Sequence, residues 1–316
     1  IQYYQKVDDQ IVMIDRAEKD CWINVYPPFQ PERLQALAEE ISVPYDFLAD
    51  SIDVNERSRY EEDEGVKLIV INTPIENFDV KMADTDADYV TIPIGIIWTN
   101  ELIVTISPDQ NPVMEWFASN VVRGLKPSER HRFVLKILEK NNDYFLHYLN
   151  EINKRRYLIE KELYNSSQNR ELSRLLNIQK SLVYFVTNLH ANELLMMKLK
   201  RTNLLQLADD DMEVDALEDI IVDNGQALEM ANVYANILNG TMDAFASIIS
   251  NNLNVVVRRL TSITVILMLP TLVASLYGMN VRIPFSKHPQ AFWIVLGIAI
   301  LSALLPILLF RNRRWF

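Results

Sequence analysis

Residues 260–281, LTSITVILMLPTLVASLYGMNV, run for 22 positions without a formal charge. At 1.5 Å per residue a helix of that length covers about 33 Å, enough for a hydrocarbon core of roughly 30 Å. A second uncharged run of 22 residues, 289–310, follows a short polar connection. Two buried helices of a globular core are the plainer alternative, but the length and the flanks favour two membrane spans. Arg258 and Arg259 precede the first run, Arg311, Arg313 and Arg314 follow the second, and the connection carries only Arg282 and Lys287. This bias places both outer flanks on the cytoplasmic side. Trp293 and Trp315 suit interfacial positions at the two ends of the second span.

Read at alternating steps of three and four, the first span presents Asn254, Val257, Thr261, Thr264, Met268, Thr271, Ser275 and Gly278 as one seam. Most of these side chains are small or polar, whereas Ile263, Ile266, Leu267, Leu269 and Val273 occupy the remaining surface. Small and hydroxylated residues also mediate ordinary contacts between membrane helices. Either use needs several copies, with cyclic symmetry setting the seam around an axis. The membrane part has no carboxylate, the group that carriers and proton-coupled pumps usually bury at their sites. A channel with a neutral lining fits better. Amides, hydroxyls and carbonyls can bond to the hydration shell of a passing cation without stripping it.

Charge divides the chain. From residue 254 to 316 there is no Asp or Glu against seven basic residues, so subtracting +7 from the net −11 leaves −18 for residues 1–253. An acidic portion of that size repels nucleic acid and gathers cations, so no nucleic-acid partner is expected. The single cysteine, Cys21, excludes a disulfide framework and favours a reducing compartment. The first residues carry no leader pattern, so insertion is expected to depend on an internal segment. His131, His147, His190 and His288 lack metal-ligand spacing, and the seven glycines form no phosphate loop. No organic cofactor and no enzymatic activity are expected.

Short β-branched runs at 11–14, 22–26, 66–75, 89–98 and 102–106 alternate with amphipathic stretches and predict strands. Asn100-Glu101 predicts a tight hairpin, and Pro31 opens a helix to Ile41. An α/β domain is therefore expected. Beyond Pro127 and Ser128 the period turns helical, with Phe133, Ile137, Tyr144, Leu149, Ile152, Leu158 and Leu163 recurring near three-to-four spacing. Asn165, Ser166 and Ser167 mark a break, after which helix resumes to about Arg201. A last helical segment runs from about Glu213 into the first span, although propensity alone makes Asn239-Gly240 a turn. Glu61, Glu62, Asp63 and Glu64 read as a surface turn.

The first span closes in Tyr277-Gly278-Met279-Asn280, followed by a loop of about ten residues, a second span and an Arg-rich tail. In that setting the chain resembles the CorA family of Mg²⁺ channels over its whole length. The resemblance implies an α+β membrane protein: an N-terminal cytosolic α/β domain at 1–126 and a long helical stalk with acidic helices at 127–253. The stalk continuation and first span at 254–281, an external loop at 282–290, a second span at 291–310 and a basic cytosolic tail at 311–316 complete it. It implies a homopentameric funnel in the lipid of the plasma (inner) membrane, with both termini cytoplasmic.

Gly278, Met279 and Asn280 would form the outer selectivity ring, Asn280 meeting hydrated Mg²⁺ through its amide. Family pore positions carry over to Asn254, Leu260, Met268 and Thr271, with a hydrophobic gate near Leu260 and Met268. Val257 stands where a methionine often sits, and Val281 to Gln290 lacks the acidic residue many relatives carry. The resemblance also implies that the stalk helix passes through Asn239-Gly240 unbroken.

Asp211, Asp215, Asp219 and Asp223 follow at four-residue spacing, with Asp209, Asp210, Glu213 and Glu218 nearby. Like charges so spaced destabilise a helix by roughly 0.2–0.5 kcal/mol per pair, which calls for a cation or a solvated face. The resemblance places a regulatory Mg²⁺ site between subunits, on Asp219 and a neighbour's Asp50. Gly-Met-Asn favours Mg²⁺ as cargo, with Co²⁺, Ni²⁺ or Zn²⁺ on the same scaffold as the alternative. From another class, a two-span membrane-anchored signalling or scaffold protein leaves the polar seam unexplained.

Overall fold

The computed structural model describes all residues except 8–9, 78–84, 120–126, 166–168, 208–210, 281–283, 285–288 and 313–316. Ser166, Ser167, Asp209, Asp210, Arg282, Lys287, His288, Arg313, Arg314 and Trp315 thus lie outside the described residues. Contacts divide the chain into two units, Ile1–Gly240 and Thr241–Phe316.

In the first unit, strands β1 (Gln2–Val7), β2 (Gln10–Ile14), β3 (Trp22–Val25), β4 (Arg59–Asp63), β5 (Val66–Glu76), β6 (Tyr89–Trp98) and β7 (Ile103–Ile106) form one sheet. Its order is β2-β1-β3-β7-β6-β5-β4, antiparallel except for the parallel β3–β7 pair. Helices α1 (Pro31–Glu40) and α2 (Tyr45–Asp50) cover one face. There Leu34, Leu37 and Leu48 pack with Leu68, Val70 and Val104. The other face takes α3 (Pro112–Ala118), α4 (Arg130–Asn165) and α5 (Asn169–Thr202), where Phe117, Phe133, Ile137 and Met196 meet Ile69, Ile71 and Ile94. Because alternate residues of β5 and β6 enter two cores, those strands read as unbroken apolar runs rather than alternating ones.

The predicted strands, the Pro31 helix and the hairpin at Asn100-Glu101 are all present. At that hairpin the Thr99 hydroxyl accepts from the Glu101 and Leu102 amides at 3.1 and 3.3 Å. The surface turn at Glu61–Glu64 is corrected. Glu61, Glu62 and Asp63 belong to edge strand β4, in register with Leu68, Lys67 and Val66. Only Glu64 and Gly65 turn, at φ 48° and 84°, the double positive φ of a two-residue hairpin. Charged residues are poor strand formers but are tolerated on an exposed edge, which is why composition misled. Leu158 is exposed, and Ile159 takes the buried place on α4.

Proline interrupts the sheet at its centre. Asn72 of β5 faces Pro93 of β6, which has no N–H to give. Side chains close the gap: the Asn72 N–H donates to Asn192 Oδ1 at 3.1 Å, and its carbonyl accepts from Asn141 Nδ2 and Asn192 Nδ2 at 3.0 and 2.9 Å. The Pro93 carbonyl accepts from the Ser107 hydroxyl at 2.9 Å. These bonds pin α4 and α5 to the sheet at defined positions.

Helix α6 (Asp211–Tyr277) is 67 residues long and α7 (Ala291–Asn312) is 22. The expected helix from about Glu213 into the first span is present and runs unbroken through Asn239-Gly240, where propensity alone would place a turn. A glycine costs about 1 kcal/mol there. Against that cost, Leu238 is fully buried and Gln179 Nε2 donates to Asn239 Oδ1 at 2.7 Å.

Candidate functional site

Among the described residues two helices are long and apolar enough to cross a membrane, over Met212–Tyr277 and Ala291–Phe310, and only 6% of the most apolar window of each is buried. Apolar surface that finds no cover within the chain needs lipid or another chain. Over residues 254–277 of α6, Ser262 is buried and Val255, Val265, Ile266, Leu269, Pro270, Val273 and Tyr277 are half-buried, a stripe on one side of the helix. The eight seam residues, Asn254, Val257, Thr261, Thr264, Met268, Thr271, Ser275 and Gly278, are all exposed, as is Leu260. At roughly 100° per residue the two stripes lie on opposite sides of the helix. Whatever the seam meets is therefore not this chain's own packing face.

The seam's hydroxyls are oriented by the helix itself. Thr261 donates to the Val257 carbonyl at 2.8 Å, Thr264 to Leu260 at 2.9 Å and Thr271 to Leu267 at 2.8 Å. With each proton spent on the turn below, the oxygen turns only lone pairs outward. Pro270 lies inside the helix and leaves the Ile266 carbonyl without its helical N–H. The helix closes when the Gly278 N–H donates to the Ala274 and Ser275 carbonyls at 2.9 and 3.2 Å and Met279 N–H to Leu276 at 3.3 Å. Met279 and Asn280 stand exposed beyond it. A Cβ at Gly278 would meet nothing nearer than the Ala274 carbonyl oxygen at 3.4 Å, so nothing in this chain requires glycine there.

The acidic face is partly assembled. Asp215, Asp219 and Asp223 are exposed on α6, and Asp219 and Asp223 line a groove of about 490 Å³ with Arg132, Lys136 and Glu139 of α4. Burial pushes the Asp223 carboxyl up, and the charges of Asp219, Asp143 and Glu139 push it further. The side chain of Asp211 lies outside the described residues. Asp50, at the end of α2, pairs with Arg59 Nη2 at 2.8 Å, and Arg59 also holds Glu56 and Glu61. Among the described residues no group of three or more His, Cys, Asp or Glu could hold a metal ion. One chain does not bring Asp50 and Asp219 into a ligand set. The basic neighbours Arg132 and Lys136 were not apparent from sequence, since they stand some eighty residues from Asp219 and only the packing of α4 on α6 joins them.

An α/β unit whose final helix continues into a pair of uncovered apolar helices defines a class of membrane-embedded proteins. The family model for CorA-like Mg2+ transporter protein matches residues 18–313, and the chain belongs to that family. Over 307 residues it is 28% identical to the cobalt/magnesium transport protein CorA of Methanocaldococcus jannaschii, covering 93% of this chain and 90% of that one. Over 299 residues it is 25% identical to the magnesium transport protein CorA of Helicobacter pylori, again covering 93% and 90%. The complete structure of the CorA magnesium transporter from Methanocaldococcus jannaschii shares the fold at a TM-score of 0.84 and 24% identity. It covers 100% of this chain and 98% of that one.

Proposed function

We propose that the chain is one subunit of a homopentameric channel that admits hydrated Mg²⁺ through the plasma (inner) membrane. The observation that carries this reading is the polar stripe on the uncovered side of α6, opposite the side the chain itself covers. Around a cyclic axis such stripes form a wall of outward lone pairs. Water bound to a cation points its hydrogens away from the ion, so an acceptor wall suits the hydration shell. Gly278, Met279 and Asn280 form the outer filter, Leu260 and Met268 the narrow apolar gate, and Asn254, Val257, Thr261, Thr264, Thr271 and Ser275 the rest of the lining. The membrane potential drives entry, at about 2.3 kcal/mol per charge per 100 mV. Arg258 and Arg259 before the span and Arg311 at the end of α7 keep those flanks in the cytoplasm.

Purified protein in liposomes with a trapped Mg²⁺ indicator tests the reading. Mg²⁺ entry should rise with inside-negative potential and stop with hexaamminecobalt(III), an inert mimic of a hydrated ion. No flux would restore the membrane-anchored scaffold. Flux of Co²⁺, Ni²⁺ or Zn²⁺ in preference to Mg²⁺ would keep the channel and change its cargo.

Regulation follows from the acidic face. Asp219 and the partner subunit's Asp50 share a low-affinity Mg²⁺ ion that favours the closed ring when the cytosol is replete. Asp219→Lys supplies a fixed positive charge in place of a ligand. Inhibition by Mg²⁺ on the cytoplasmic side should then need roughly fivefold more ion or become unmeasurable. An unchanged inhibition curve removes Asp219 from the sensor.

A further inference from the structure

We infer that the first unit carries a binding site for a tetrahedral oxyanion, a phosphate or the phosphoryl end of a small phosphomonoester, between β5, the start of α4 and the α5–α6 connection. A cavity of about 170 Å³ lies there, and its lining includes Lys67, Arg130 and His131 and no carboxylate. That composition runs against its surroundings, since residues 1–253 carry a net −18.

Lys67 and Arg130 keep donor capacity for a ligand, and His131 lies beside them. Lys67 Nζ sits 6.0 Å above the Trp98 ring and, among the described residues, has no carboxylate within ion-pair distance. Arg130 spends Nη2 on Asp20 Oδ1 at 3.1 Å and on the Asn100 carbonyl at 2.5 Å, while its Nε–H is buried with no acceptor. His131 Nε2 is 3.2 Å from Glu213 Oε2, and Glu213 stands outside the lining. The Ser128 hydroxyl completes the polar edge. Charge-assisted bonds from the Lys67 ammonium and the unpaired Arg130 Nε–H are the kind a phosphoryl group selects.

The remaining wall is preformed. Asn203 and Gln206 take positive φ of 48° and 57°, held by Asn203 Oδ1 accepting from the Leu207 N–H at 2.9 Å and the Asn203 carbonyl accepting from the Gln206 N–H at 2.9 Å. Size sets the ligand class. Pockets that enclose drug-sized molecules run to about 300 Å³ and more, so this one takes the anion and not a nucleotide's base and sugar. An anion held here ties the sheet and the start of α4 to residues 204–206 beyond α5.

Calorimetry on the full chain in detergent, free of Mg²⁺ and at constant ionic strength, tests the site with inorganic phosphate and, separately, glycerol phosphate. Saturable binding is expected, weakened roughly tenfold or more by Lys67→Glu and less by Lys67→Gln. Tighter binding of phosphate identifies the free anion as ligand, and tighter binding of glycerol phosphate identifies an esterified phosphoryl group. No saturation by either up to about 10 mM, or wild-type affinity in Lys67→Glu, overturns the inference. Transport is not measured, so the result stands or falls apart from the conduction reading.

Discussion

Asn280→Ala is expected to reduce Mg²⁺ entry into liposomes roughly a hundredfold while leaving helix content and oligomeric state unchanged. Asn280 lies past the last closing bonds of α6, exposed, and among the described residues no hydrogen bond ties its side chain to the rest of the chain. Its removal therefore costs the fold little. In the proposed ring each copy contributes one amide to the ion's water shell, at a net value of about 0.5–1.5 kcal/mol. Five copies at the low end lose about 2.5 kcal/mol of ion stabilisation at the mouth, close to two decades in rate. A variant that conducts as the parent does would take Asn280 out of the ion's path. A variant that no longer assembles would instead give it a structural role, which size-exclusion chromatography would reveal.

Gly95→Ala should destabilise the first unit by about 3 kcal/mol, seen as a fall in its thermal midpoint. Gly95 lies in β6, and a Cβ there would stand 2.0 Å from Ser51 Oγ, 2.4 Å from Ser51 Cβ and 3.0 Å from Ile106 Cγ2. Ser51 is fully buried and its hydroxyl donates to the Phe47 carbonyl at 2.6 Å, so moving it aside would break that bond. Either α2 lifts from the sheet or β6 bends. Ser51→Gly removes both close atoms, and the double variant should recover a substantial part of the loss. A Gly95→Ala protein as stable as the parent would mean that α2 yields cheaply.

Much of the fold was legible in the order of residues alone. Twenty-two uncharged residues, a polar seam at steps of three and four and a Gly-Met-Asn ending are all local signals, each carried by a single helix. The strands were legible for the same reason, because β-branched runs announce themselves. What failed was local chemistry overruled by distant partners. Glu61–Asp63 became a strand because β5 pairs with it, and Asn239-Gly240 stayed helical because Leu238 is buried. The proline gap at Pro93 could be seen in sequence, but not that Asn141 and Asn192 would fill it from two helices. Lys67 and Arg130 are 63 positions apart and give no pattern until β5 and α4 meet. The expected Mg²⁺ ligands Asp50 and Asp219 differ again: Asp50 is engaged by Arg59, whereas Asp219 lines the groove against α4.

The division of the chain near Gly240 bears on how it is made. All seven strands end by Ile106, and the helices that cover them are translated ahead of residue 260. Because domains fold as units from the N-terminal side during synthesis, the ribosome releases a complete sheet and its cores before the greasy stretch emerges. In the topology proposed above, the nascent polypeptide therefore reaches its insertion step with a folded body in tow, already standing on the side of synthesis.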